Sequence, residues 1–125
     1  VLKIVNSYKK NIIFLAIDQC VFDSKDKKRC DCALFEEKKF YFVEIKNVKK
    51  LKQRASHRKN AINQLESTIK EFKKRIDFEQ FAVKVLICFQ NIPVCPAAST
   101  ANQEKQKEFW DNYKIDLLEG NEIKF

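Results

Sequence analysis

Apolar and polar positions alternate along this chain in two rhythms, one matching strands and the other helices. Asn11 to Ile17 is a short apolar run that predicts a strand ending at Asp18. Val21 to Arg29 is a polar connection holding Asp23, Lys25, Asp26, Lys27 and Lys28. Cys30 to Phe35 and Phe40 to Lys46 are rich in β-branched, aromatic or small residues. Only Glu36-Glu37-Lys38-Lys39 separates them, so the pair predicts two strands joined by a tight turn. The rhythm then changes. From Gln53 to Ile76, the residues Ala55, Ala61, Ile62, Leu65, Ile69, Phe72 and Ile76 fall at helical spacing and predict one long helix. Within Phe81 to Phe89, the nearly unbroken run from Val83 predicts a strand buried on both faces, as in a central or parallel position. Asn91 to Thr100, with Pro93 and Pro96, predicts a loop, and Ser99 or Thr100 caps a second helix to about Tyr113. Ile115 to Leu118 and Glu122 to Phe125 predict a closing hairpin around Glu119-Gly120-Asn121. The order strand, strand, strand, helix, strand, helix predicts a mixed α/β sheet in one domain covering residues 1–125.

Composition narrows the functional classes. Hydrophobic residues make up 45% of the 125, with 11 Phe, which predicts a folded core rather than disorder. A single glycine excludes glycine-rich phosphate loops of the P-loop and dinucleotide-binding kinds. A single histidine, His57, excludes pairs of catalytic histidines. No apolar run approaches the roughly 20 residues that span a bilayer, so no membrane partner is expected. Val1 at the start and the absence of methionine point to a trimmed chain or fragment. The five cysteines are Cys20, Cys30, Cys32, Cys88 and Cys95; an odd number without a secretion signal predicts reduced thiols and a cytoplasmic, reducing location. Cys30-x-Cys32 invites a zinc site, but the spacing departs from common zinc patterns and small core cysteines are the plainer reading. Strand alternation sends both to the face opposite Asp31. The formal net charge of +8 favours a polyanionic partner.

The hairpin carries the chemistry. If Glu37 and Lys38 are the central turn residues, Asp31 falls opposite Glu44, and Asp31, Glu44 and Lys46 share one face. Directly opposed Cβ atoms lie roughly 4.5–5.5 Å apart, close enough for two carboxylates to repel unless a cation sits between them. A divalent metal suits that position, because carboxylate oxygens are what Mg²⁺ prefers. An acidic residue on one strand followed by the acidic-x-Lys triplet Glu44-Ile45-Lys46 on the next resembles the PD-(D/E)XK, or restriction-endonuclease-like, nuclease superfamily. Cys30 stands where that family often has proline before the first acid. The resemblance covers roughly residues 11 to 90 and implies a mixed sheet flanked by helices, core order βββαβα. Val1 to Lys10 would hold only a stub of the helix that usually comes first.

The same resemblance assigns roles. Asp31, Glu44 and the Ile45 carbonyl would hold Mg²⁺ or Mn²⁺, Lys46 would act beside the metal, and Gln64 would match the polar helix residue many members carry nearby. Taken alone, Gln64 is an ordinary boundary residue of the helix. Asp18 is a further candidate acid, with a surface strand-end position as the alternative. Lys49, Lys50, Lys52, Arg54, His57, Arg58 and Lys59 follow Lys46 without an intervening acid and would form a nucleic-acid face. His57 taken alone reads first as a plain surface helix residue, with a phosphate contact as the alternative. The expected function is metal-dependent hydrolysis of phosphodiester bonds in nucleic acid, DNA ahead of RNA, with a homodimer or a partner supplying specificity. A catalytically inactive nucleic-acid-binding module of the same fold is the alternative. A structural domain with the three residues as a surface ion network is the remaining one.

Overall fold

The computed structural model describes residues 2–17, 29–91 and 100–125, and side chains from 103 onward in the last segment. The strands are β1 (Lys3–Val5), β2 (Ile13–Ala16), β3 (Cys32–Phe35), β4 (Lys39–Asn47), β5 (Ala82–Gln90), β6 (Asp116–Glu119) and β7 (Glu122–Lys124). The helices are α1 (Arg54–Lys73) and α2 (Thr100–Tyr113), with short 3₁₀ turns at Leu51–Gln53 and Phe78–Gln80. The main sheet has five strands in the order β2-β3-β4-β5-β6. β3 runs antiparallel to both β2 and β4, whereas β4, β5 and β6 are mutually parallel. The fold is therefore mixed α/β, and the expected order of three strands, helix, strand, helix is present from β2 to α2.

The turn between β3 and β4 sets the register on which the site depends. Glu36 N–H donates to the Lys39 carbonyl at 3.0 Å. The buried Glu36 carboxylate also accepts from the Lys38 and Lys39 N–H groups at 3.1 and 2.9 Å. Glu37 and Lys38 are thus the central turn residues, and the ladder runs from Phe35↔Phe40 to Cys32↔Val43.

Two apolar layers enclose the sheet. On one face Ala33, Phe40, Phe42, Val85, Ile87 and Leu117 pack beneath Ala61, Leu65, Ile69 and Phe72 of α1 and Phe109 of α2. On the other, Cys32, Leu34, Tyr41, Val43 and Leu86 pack beneath Ile123 and Phe125. β5 alternates between these layers and lies between two parallel neighbours, which explains its apolar run from Val85 to Phe89. Among the described residues, helices cover one face only; the second is covered by the β1–β7 pair.

Two expectations are corrected here. Residues 3–5 form a strand rather than a helical stub. The segments after α2 do not pair with each other as a hairpin. β6 joins β5 in parallel, and β7 pairs in parallel with β1, with Lys3 N–H donating to the Asn121 carbonyl at 2.6 Å. Gly120 N–H donates to the Ile87 carbonyl, which carries the chain along the sheet edge instead of back over β6. Among the described residues no helix is long and apolar enough to cross a membrane.

Candidate active site

The site forms where β3 begins and β4 approaches its end. Hydrogen-bonded and non-hydrogen-bonded pairs alternate along an antiparallel ladder, and side chains lie closer in the second kind. Because Glu36 and Lys39 are hydrogen-bonded, continuing the register makes Asp31 and Glu44 a closer, non-hydrogen-bonded pair. Both lie on the face under α1.

Each carboxylate reaches across to the other strand. Ile45 N–H donates to Asp31 Oδ2 at 2.7 Å, and Asp31 N–H donates to Glu44 Oε1 at 3.1 Å. The Asp31 carbonyl accepts from Ile17 N–H on the β2 side, so the backbone there is held from both neighbours. Lys46 Nζ lies 3.0 Å from Glu44 Oε2 and donates to Gln64 Oε1 at 2.5 Å. Gln64 Nε2 donates in turn to the Arg29 carbonyl at 3.3 Å. Asp31, Glu44, Lys46 and Gln64, chosen from the sequence, are therefore one connected network.

Its electrostatics are opposed. Glu44 has a side chain only 2% exposed. Burial, hydrogen bonding with Asp31 and the Asp31 charge push its carboxyl up to about 8, and Lys46 pulls it partly back. A cation between the two carboxylates would relieve that repulsion. The donors are hard oxygens of the kind Mg²⁺ and Mn²⁺ take. Among the described residues no group of three or more His, Cys, Asp or Glu could hold a metal ion. The two carboxylates offer hard oxygen donors, the kind that suits such an ion together with water and phosphate oxygens.

The basic run continues directly from the carboxyl end of β4 into α1. Lys49, Lys50, Lys52 and Lys59 are exposed, and His57 is half-buried. Arg54 is half-buried, its guanidinium 5.8 Å from the Phe89 ring centroid. Arg58 departs from the expected surface role. Its side chain is 7% exposed, and its Nη2 donates to both Glu119 carboxylate oxygens at 3.0 and 3.1 Å, joining α1 to β6. It falls on the same helical stripe as Ala61 and Leu65, so the fold takes it inside.

The cysteines also sort differently from expectation. Cys32 lies on the face opposite Asp31, but Cys30 belongs to the layer under α1. The chain is not yet in the regular ladder at Cys30, so strand alternation does not govern it. Burial pushes the two thiols up to about 12 for Cys30 and about 11 for Cys32, so both are neutral core groups. Asp18, Cys20 and Cys95 lie outside the described residues. Thr68 escaped the sequence reading although its spacing from Leu65 and Phe72 places it on the buried stripe of α1. Compared with protein-family models, curated proteins and solved structures, the chain matches none.

Proposed function

We propose that this chain is a metal-dependent nuclease with a restriction-endonuclease-like fold, hydrolysing phosphodiester bonds in nucleic acid, DNA ahead of RNA. The observation that carries this reading is the reciprocal bonding of Asp31 and Glu44 across β3 and β4, with Lys46 on Glu44. An antiparallel β2-β3-β4 meander followed by α1 and parallel β5 agrees with the core order of the superfamily that the triplet resembles. The acid–acid–lysine set lies towards the carboxyl end of β4, on the side where open α/β sheets receive ligands.

Asp31, Glu44 and the Ile45 carbonyl would hold Mg²⁺ or Mn²⁺. When bound, such an ion polarises a phosphoryl oxygen and lowers the pKa of a water. The residues of the chain do the rest. Lys46, anchored between Glu44 and Gln64, presents a fixed positive charge where negative charge develops on phosphorus. Gln64 holds the Lys46 ammonium and takes its own position from the Arg29 carbonyl, so the cation is set before substrate arrives. Lys49, Lys50, Lys52 and Lys59 would line up the phosphate backbone without reading sequence. A second copy of the chain or a partner protein would supply specificity.

Cleavage of labelled single- and double-stranded DNA and RNA, with Mg²⁺, Mn²⁺ or EDTA, tests the reading. Metal-dependent cleavage is expected, reduced at least 10²-fold in Asp31→Ala and in Lys46→Ala, about the loss typical of removing one charge-stabilising group. Salt-dependent binding without cleavage under every condition would instead establish the inactive binding module.

A further inference from the structure

We propose that Thr68 is a positioning residue that diverts the start of β3 out of the β-ladder and thereby makes both backbone groups of Ile45 available to the site. Its consequence for metal binding rests on the nuclease reading; the diversion itself does not.

Thr68 is fully buried, in the interior of α1. Its Oγ1 donates to the Gln64 carbonyl at 2.8 Å and accepts from Cys30 N–H at 2.9 Å. The first bond is the familiar back-bond of a helical threonine. The second is long-range and changes the sheet. Continuing the β3–β4 register pairs Cys30 with Ile45 as the next hydrogen-bonded couple, in which the two residues would exchange both N–H···O=C bonds. Cys30 N–H goes to Thr68 instead. Ile45 N–H, whose acceptor in the ladder would be the Cys30 carbonyl, donates to Asp31 Oδ2 instead. Its carbonyl, pointing to the same side of β4, loses the donor that the ladder would supply. That carbonyl is the third metal donor named above. The adjacent Arg29 carbonyl is drawn towards α1 as well, through Gln64 Nε2. Two consecutive residues before Asp31 are therefore pinned to α1 one turn apart, at Gln64 and Thr68.

A direct test uses the unmodified, isotopically labelled chain. The through-hydrogen-bond coupling between the Cys30 nitrogen and the Ile45 carbonyl carbon should be absent. Its detection would overturn the proposal. A second test compares Thr68→Val, which keeps the shape and removes both bonds, with Thr68→Ser, which keeps the hydroxyl. In Thr68→Val the Ile45 amide proton should move upfield as its short bond to Asp31 is lost. Mn²⁺ affinity, read by calorimetry, should fall about 10- to 100-fold, the usual effect of removing a group that orients a metal donor. Thr68→Ser should restore both. An unchanged Ile45 amide and unchanged Mn²⁺ affinity in a folded Thr68→Val chain would sink the positioning role. Absence of Mn²⁺ binding in the unmodified chain would count against the nuclease reading, while the coupling and the amide shift would still decide the diversion.

Discussion

Glu44 is the residue at which stability and chemistry conflict. Its carboxyl ordinarily titrates at 4.5 and is pushed up to about 8, first by burial and then by Asp31. A group with a raised folded pKa binds its proton more tightly in the native state. Its contribution is complete below about 4.5 and is lost as pH rises through about 8. Metal-free protein should therefore lose stability between roughly pH 5 and pH 8, by on the order of a few kcal/mol. Glu44→Gln should abolish that slope and be the more stable form at pH 8, while losing metal binding. Urea unfolding across this pH range, with and without Mg²⁺, checks both statements. A flat profile in the unmodified chain would mean that neither burial nor Asp31 raises the Glu44 carboxyl on folding. That these two carboxylates meet was legible in the sequence, because a two-residue turn fixes every pair behind it by simple counting. The burial of Glu44 beneath α1 was not, since it depends on how a helix 20 residues long lies over the sheet.

At the scale of elements, α1 does two jobs that its charge pattern conceals. Its buried stripe runs Arg58, Ala61, Leu65, Thr68, Ile69 and Phe72, so two polar residues occupy core positions. In a basic run, Arg58 looks like one more surface charge; only its phase relative to Ala61 and Leu65 distinguishes it. Its partner Glu119 lies in the supposed turn of a closing hairpin. The local pattern of residues 115–125 fits a hairpin well, yet β6 and β7 find better partners in β5 and β1, and no local pattern reveals strands so distant in sequence. The Arg58–Glu119 pair is buried on both sides, at 7% and 2% exposure. Removing one member leaves a buried charge uncompensated, which costs about 3–5 kcal/mol, whereas replacing both with apolar residues is often neutral. Glu119→Ala should accordingly destabilise by that amount in urea unfolding. The double change Arg58→Met with Glu119→Leu should recover most of the loss. Equal losses in the single and double variants would show that packing, not charge, holds α1 to β6 at this point.

At the scale of the whole molecule, the net charge of +8 matters through where it sits. The hairpin brings half-buried Asp31 and buried Glu44 together, and the chain then passes straight into exposed Lys49, Lys50, Lys52 and Lys59. A nucleic acid docked on this face would exchange its counterions for these lysines. The logarithm of the binding constant should then fall linearly with the logarithm of salt concentration, by about 0.9 for each duplex phosphate neutralised. Changing the four lysines to alanine should reduce the magnitude of that slope by up to about 3–4. Arg58→Met should leave it unaltered, because Arg58 is committed to Glu119 inside the fold. Fluorescence anisotropy with a labelled duplex in EDTA, over a series of salt concentrations, separates these outcomes. If the fourfold variant keeps the original slope, the phosphates lie on another face, and the approach of substrate to Asp31, Glu44 and Lys46 must come from elsewhere. If the slope drops while Arg58→Met has no effect, the run of basic residues divides as the structure divides it, with the exposed lysines meeting the partner and the buried arginine holding together the helix that carries them.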